Sequence, residues 1–132
     1  MDEDNKLSNA IKIPVFSGKE RDFHVWWVQF QAYCTMKKIA ESLKEDFDLP
    51  ADPTTITETD TEIKKLKNLV AQNAAAVACL TIAFTTSELL EFCTDSATDE
   101  YPAGIAKDIV KKLFTKYHLV DVVAGVEAKL TV

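Results

Sequence analysis

The side chains here that could do chemistry are three thiols, two imidazoles and a dense run of carboxylates. A thiolate becomes a nucleophile when a neighbouring imidazole takes its proton, and closely spaced thiols and imidazoles hold zinc. Cys34, Cys79 and Cys93 are odd in number, lie on or beside predicted helices, and show no zinc spacing, so no metal site is expected. They read as reduced thiols that fill a core as small hydrophobes in a cytosolic protein. His24 falls on the first predicted helix and His118 follows Tyr117; neither stands at a spacing that pairs it with a cysteine. The carboxylates concentrate in loops, where burial does not raise a pKa, so no general acid and base can be nominated. A Gly-rich phosphate loop, a helix-borne His pair and a Gly-x-Ser-x-Gly elbow are all missing from the sequence. The expectation is a protein that is not an enzyme and carries no cofactor.

Composition narrows the class further. The 132 residues suit one domain, and 47% hydrophobic with 27% charged content is ordinary for a globular chain. Three Gly and four Pro leave long runs without either, which favours an all-α bundle over a turn-rich sandwich or barrel. The net charge of −6 argues against tight, direct nucleic-acid binding, which rests on Lys and Arg neutralising phosphates. No uninterrupted apolar run reaches the roughly 18 residues of a membrane span. The acidic start, Met1-Asp2-Glu3-Asp4, lacks the charge pattern of a secretory signal. A soluble, cytoplasmic protein without a membrane partner is expected.

Residues 1–10 read as a flexible N-terminal tail, and a helical domain over 11–120 follows. Ile11, Ile13 and Val15 alternate with Lys12 and Pro14, which predicts an extended strap lying across the helices. Helix one is predicted from about Lys19 to Leu43, opened by a Ser17/Glu20 capping box or by Asp22. Phe23, Trp27, Phe30 and Cys34 share one face of it, flanked by Trp26 and Tyr33. Such an aromatic face must be buried, and it anchors the predicted core. From Glu41 to Glu62 eight acidic residues stand against Lys44 alone, with Pro50 and Pro53 among them. That composition predicts a long acidic loop, either solvated or docked on a basic partner.

Thr59-Asp60-Thr61-Glu62 is a capping box that opens helix two, predicted to run to about Phe84. Its inward stripe is Ile63, Leu66, Val70, Asn73, Val77, Leu80 and Phe84. Thr85-Thr86-Ser87-Glu88 repeats the pattern ahead of a short third helix carrying Leu89, Leu90, Phe92 and Cys93. Pro102 and Gly104 mark the start of a fourth, whose Lys111, Lys112 and Lys116 suit a solvated face near a helix C-terminus. Asp121 is read as the cap of a terminal helix over 121–132, which makes about five helices and could open a following lobe of a longer polyprotein.

Two parts of the chain carry a resemblance. Phe16-Ser17-Gly18, Phe23-His24-Val25-Trp26 and Phe30-Gln31-Ala32-Tyr33 resemble the opening of the Gag polyprotein of copia-type LTR retrotransposons. The family places an apolar residue, any residue and Gly before a short polar loop, then an aromatic and a Trp three residues on. Phe16, Gly18, Phe23 and Trp26 hold those places, with the loop Lys19 to Asp22 longer than usual. The second part is Ala106, Val110, Leu113 and Tyr117, at the spacings of a family helix in which Val110 replaces a Trp. Ala76, Leu80 and Phe84 match the four-residue steps of the family's middle helix.

The resemblance implies a fold like a capsid N-terminal domain and a structural role: a homo-oligomer of capsid-type assembly that forms the shell of a virus-like particle. It implies Phe16, Gly18, Phe23, Trp26, Phe30, Ala106, Leu113 and Tyr117 as motif and core residues. The competing expectation is a helical adaptor derived from such a Gag, binding an apolar peptide in a groove that the strap leaves between helices one and two.

Overall fold

The computed structural model describes residues 12–51 and 60–117, and side chains of the second helix from residue 63 onward. Four α-helices and one 3-10 turn make up the described regular structure, with no strand among those residues. They are α1 (Glu20–Met36), the 3-10 turn (Ala40–Leu43), α2 (Asp60–Ala83), α3 (Ser87–Asp95) and α4 (Ala106–Tyr117). The fold is therefore mainly helical, as the scarcity of Gly and Pro predicts. The tail 1–10, the centre of the acidic segment, the Thr59 cap, His118 and the helix expected from Asp121 all lie outside the described residues.

The strap forms, but its inward residues differ from the simple alternation. Val15 points to solvent at 59% exposure while Phe16 is fully buried. Main-chain bonding sets this register: the Phe16 N–H donates to the Ala83 carbonyl at 2.9 Å, and the Thr85 hydroxyl donates to the Phe16 carbonyl at 2.7 Å. A single parallel bridge, Phe16 to Phe84, is all the strand character among the described residues. The Trp26 indole N–H donates to the Pro14 carbonyl at 2.9 Å, so the ring that fills the core also pins the strap.

Helix α1 starts where expected but without the expected side-chain cap, and it stops early. Lys19 is the N-cap with no side-chain bond, because the Ser17 hydroxyl instead donates to Asp22 Oδ2 at 2.7 Å. The helix ends at Met36 rather than Leu43. Ile39 N donates to the Cys34 carbonyl at 2.9 Å and Lys38 N to the Thr35 carbonyl at 3.0 Å, the paired bonds of a Schellman ending. Lys38 takes the left-handed conformation this requires, at φ 64. Buried Ile39 then folds back beside Cys34, and the chain tightens into the 3-10 turn.

Helix α2 is the centre of the bundle, burying Asn73, Ala76, Val77, Leu80 and Ala83. By length and composition Ile63–Ala83 is apolar enough to cross a membrane, which a search for unbroken apolar runs overlooks. It packs one stripe against α3, α4 and the 3-10 turn, and 28% of the apolar stretch is buried. Thr86, not Thr85, caps α3, accepting from Leu89 N at 3.2 Å, since Thr85 is engaged with the strap.

Helix α4 begins at Ala106, later than Pro102, and its first turn is capped from elsewhere. Asn73 Oδ1 accepts from Ala106 N at 2.9 Å while Asn73 Nδ2 donates to the Gly104 carbonyl at 3.0 Å. Ser96 Oγ accepts from Ile105 N at 2.9 Å. Gly104 is obligatory here: at φ +119, an added Cβ would stand 2.7 Å from Ser96 Oγ.

Two stability measurements check this account. Trp26→Ala should cost about 3–5 kcal/mol in urea denaturation, whereas Val25→Ala, on the exposed side of α1, should change it by less than about 0.5 kcal/mol. Equal effects would contradict the assignment of faces. Lys38→Gly should stabilise the protein by about 0.5–1 kcal/mol by relieving the left-handed backbone; a loss of stability would refute that ending.

Candidate functional site

The residues singled out from the sequence converge, and what they build is the core. Phe16, Phe23, Trp26, Phe30, Ala106, Leu113 and Tyr117 are all buried in one cluster. The Phe16 ring stacks on Trp26 with centroids 5.0 Å apart and meets Tyr117 edge-on at 5.1 Å. Phe23 stacks on Tyr117 at 4.9 Å, and Trp26 on Phe30 at 4.9 Å. The Tyr117 hydroxyl donates to the Gly18 carbonyl at 3.2 Å, joining the turn that starts the first motif to the end of the second. Gly18 has φ +86 and packs so close to Thr86 that an added Cβ would stand 3.1 Å from its methyl.

The thiols sit where the helices meet. Cys34 is buried on α1, and burial followed by the neighbouring Cys79 pushes its pKa up to about 12. Burial also raises Cys79, against the opposing pull of Lys37, and raises Cys93 despite the Thr81 hydroxyl that approaches its sulfur at 3.7 Å. Raised values leave little thiolate near neutral pH, so these groups are poor nucleophiles. His24 is exposed on α1. Among the described residues, no three of His, Cys, Asp and Glu gather as a set of metal ligands.

One concavity is not announced by the sequence. A groove of about 1010 Å³ runs between α1, the 3-10 turn and α4. Its apolar lining comes from Trp27, Leu43, Val110 and Phe114. One bank, on and after the 3-10 turn, carries Glu41, Glu45 and Asp46 with Lys44; the other, on α4, carries Lys107 and Lys111. Lys44 pairs with Glu41 at 3.1 Å, and Lys107 donates to the Phe47 carbonyl at 2.9 Å. No ion pair spans the groove among the described residues.

This is not the position expected for a groove, beside the strap and between helices one and two. Phe16 and Trp26 close that side. The lysines of α4 are more engaged than a purely solvated face: Lys112 pairs with Asp95 of α3 at 3.3 Å, and Lys116 with Glu88. The groove was missed because its walls come from residues about 70 apart, and no local pattern records which helices leave a gap.

The raised Cys34 value has a consequence for alkaline stability. The folded state keeps this proton where the unfolded chain, at an ordinary 9.0, loses it. The contribution is full below pH 9.0 and declines as pH rises toward about 12. Urea denaturation across that window should show the decline, and Cys34→Ala should make it shallower; an unchanged slope would assign the loss to other groups. Comparison with known proteins adds no relative: no family model, curated protein or solved structure matches the chain.

Proposed function

We propose that this chain is a structural, self-associating capsid-type domain, akin to the N-terminal lobe of a copia-type Gag or a protein derived from one, and that it forms part of the shell of a cytoplasmic virus-like particle. The observation that carries the reading is the meeting of the two resembling segments in one cluster, closed by the Tyr117 to Gly18 hydrogen bond. Residues that match a motif at both ends of a chain, and that pack on one another, behave as the elements of a single fold. The burial of Trp26 supports the same reading, since an aromatic ring spent on the core leaves assembly to the outer surface.

Mechanistically such a domain needs a rigid interior and contacts too weak to hold two copies together alone. Many of them acting in parallel then make a stable shell. The second reading, a peptide-binding adaptor, is favoured by the α1/α4 groove with Trp27 in its lining.

Sedimentation tests the choice. The protein should run largely as a monomer at micromolar concentration and associate reversibly as concentration or crowding rises, giving particles visible by electron microscopy. A tight, obligate dimer at micromolar concentration, or tight RNA binding at physiological salt, would count against the capsid reading. A monomer at every concentration whose Trp fluorescence shifts on addition of an apolar peptide would favour the adaptor.

A further inference from the structure

The crest of α4 lies between two concavities. Lys111 and Thr115 line the large groove shared with α1 and also a shallower one of about 600 Å³ shared with α3. A convex helix edge therefore stands directly beside a concave, apolar-lined channel. An isologous contact requires this property, because under a two-fold axis the same patch must supply both the projection and the recess.

The charges obey the same rule. Three carboxylates and one lysine occupy the bank formed by the 3-10 turn and the residues after it, and two lysines occupy the α4 bank. Lys44 already pairs with Glu41, and Lys107 is held at the Phe47 carbonyl, so Glu45 and Asp46 on one side and Lys111 on the other are the exposed charges left without an ion pair among the described residues. Within one molecule the banks touch where Lys107 meets the Phe47 carbonyl, yet among the described residues no carboxylate of the acidic bank pairs with a lysine of α4. Turned through two-fold symmetry, the basic edge of one copy meets the acidic bank of the other, twice per pair. A peptide of a single charge would satisfy one bank and oppose the other.

We propose that the α1/α4 groove is the contact surface for a second copy of this chain, with the Lys111 edge of each α4 lying across the partner's groove against its Glu45 and Asp46. This rests on the self-association proposed above and names the surface that performs it. The contact buries the apolar lining around Trp27 and Phe114 and draws its specificity from the two symmetric charge sets.

Charge reversal tests the assignment with the whole chain. Lys111→Glu places two acidic sets face to face in a pair, and the double variant Glu45→Lys with Asp46→Lys places two basic sets face to face. Each variant alone should self-associate at least about tenfold more weakly than wild type in sedimentation equilibrium, while circular dichroism stays unchanged. An equimolar mixture of the two variants should recover association, because each mixed pair has opposite charges at both contacts. Wild-type association should also weaken as salt screens the exposed charges. If wild type associates and both variants do so equally well, the groove assignment fails while self-association stands. If each variant weakens alone but their mixture does not recover, the two-fold pairing fails. If wild type never associates, the underlying reading fails as well.

Discussion

Phe16 is the constraint on which the remaining packing depends. Its ring is fully buried against Phe23, Trp26 and Tyr117, and its two main-chain polar groups are taken by Ala83 and Thr85. One residue thus ties the strap to α1, to the end of α2, to the segment entering α3 and to α4. Burying a backbone segment this deeply is tolerable only because neither its donor nor its acceptor is left without a partner. The neighbouring Trp26 indole does the same for Pro14, so the strap is held by hydrogen bonds at two points and by apolar contact between them.

Much of this was legible in the sequence, and for a definable reason. The stripes Phe23, Trp27, Phe30, Cys34 and Ala106, Leu113, Tyr117 repeat at helical spacing, and burial enforces that spacing regardless of partner. What escaped depends on residues remote in the chain. Asn73 sits on the apolar stripe of α2, yet its amide serves the start of α4, 33 residues away, and that late start follows from where Asn73 and Ser96 stand. The capping pattern at Thr85 shifted by one residue because the strap claimed that hydroxyl. Lys38 gave no sign of ending a helix, since the left-handed position is usually Gly or Asn and only the packing of Ile39 imposes it here.

Stability and surface chemistry are separated in this molecule. The aromatic cluster draws together the strap, α1, α2 and α4, and it is almost wholly apolar. The ion pairs, by contrast, are solvent-exposed: Lys44 with Glu41, Lys112 with Asp95, Lys116 with Glu88. Pairs of that kind contribute about 0–1 kcal/mol each. The outer charges are consequently free to vary in arrangement at little cost to folding, and their pattern can be set by what the surface meets.

The Tyr117 to Gly18 hydrogen bond spans a sequence separation of 99 residues. On a ribosome adding roughly 5 to 20 residues per second, the front of the chain emerges several seconds before the tyrosine that closes it. Until then the sticky ring face of the first helix is covered only in part, by residues such as Phe84 that emerge earlier, and stays open to chaperones or to neighbouring nascent chains. Translation of this protein on crowded polysomes would bring such unfinished faces close together, so the pace of elongation sets how long they stay open to the wrong partner.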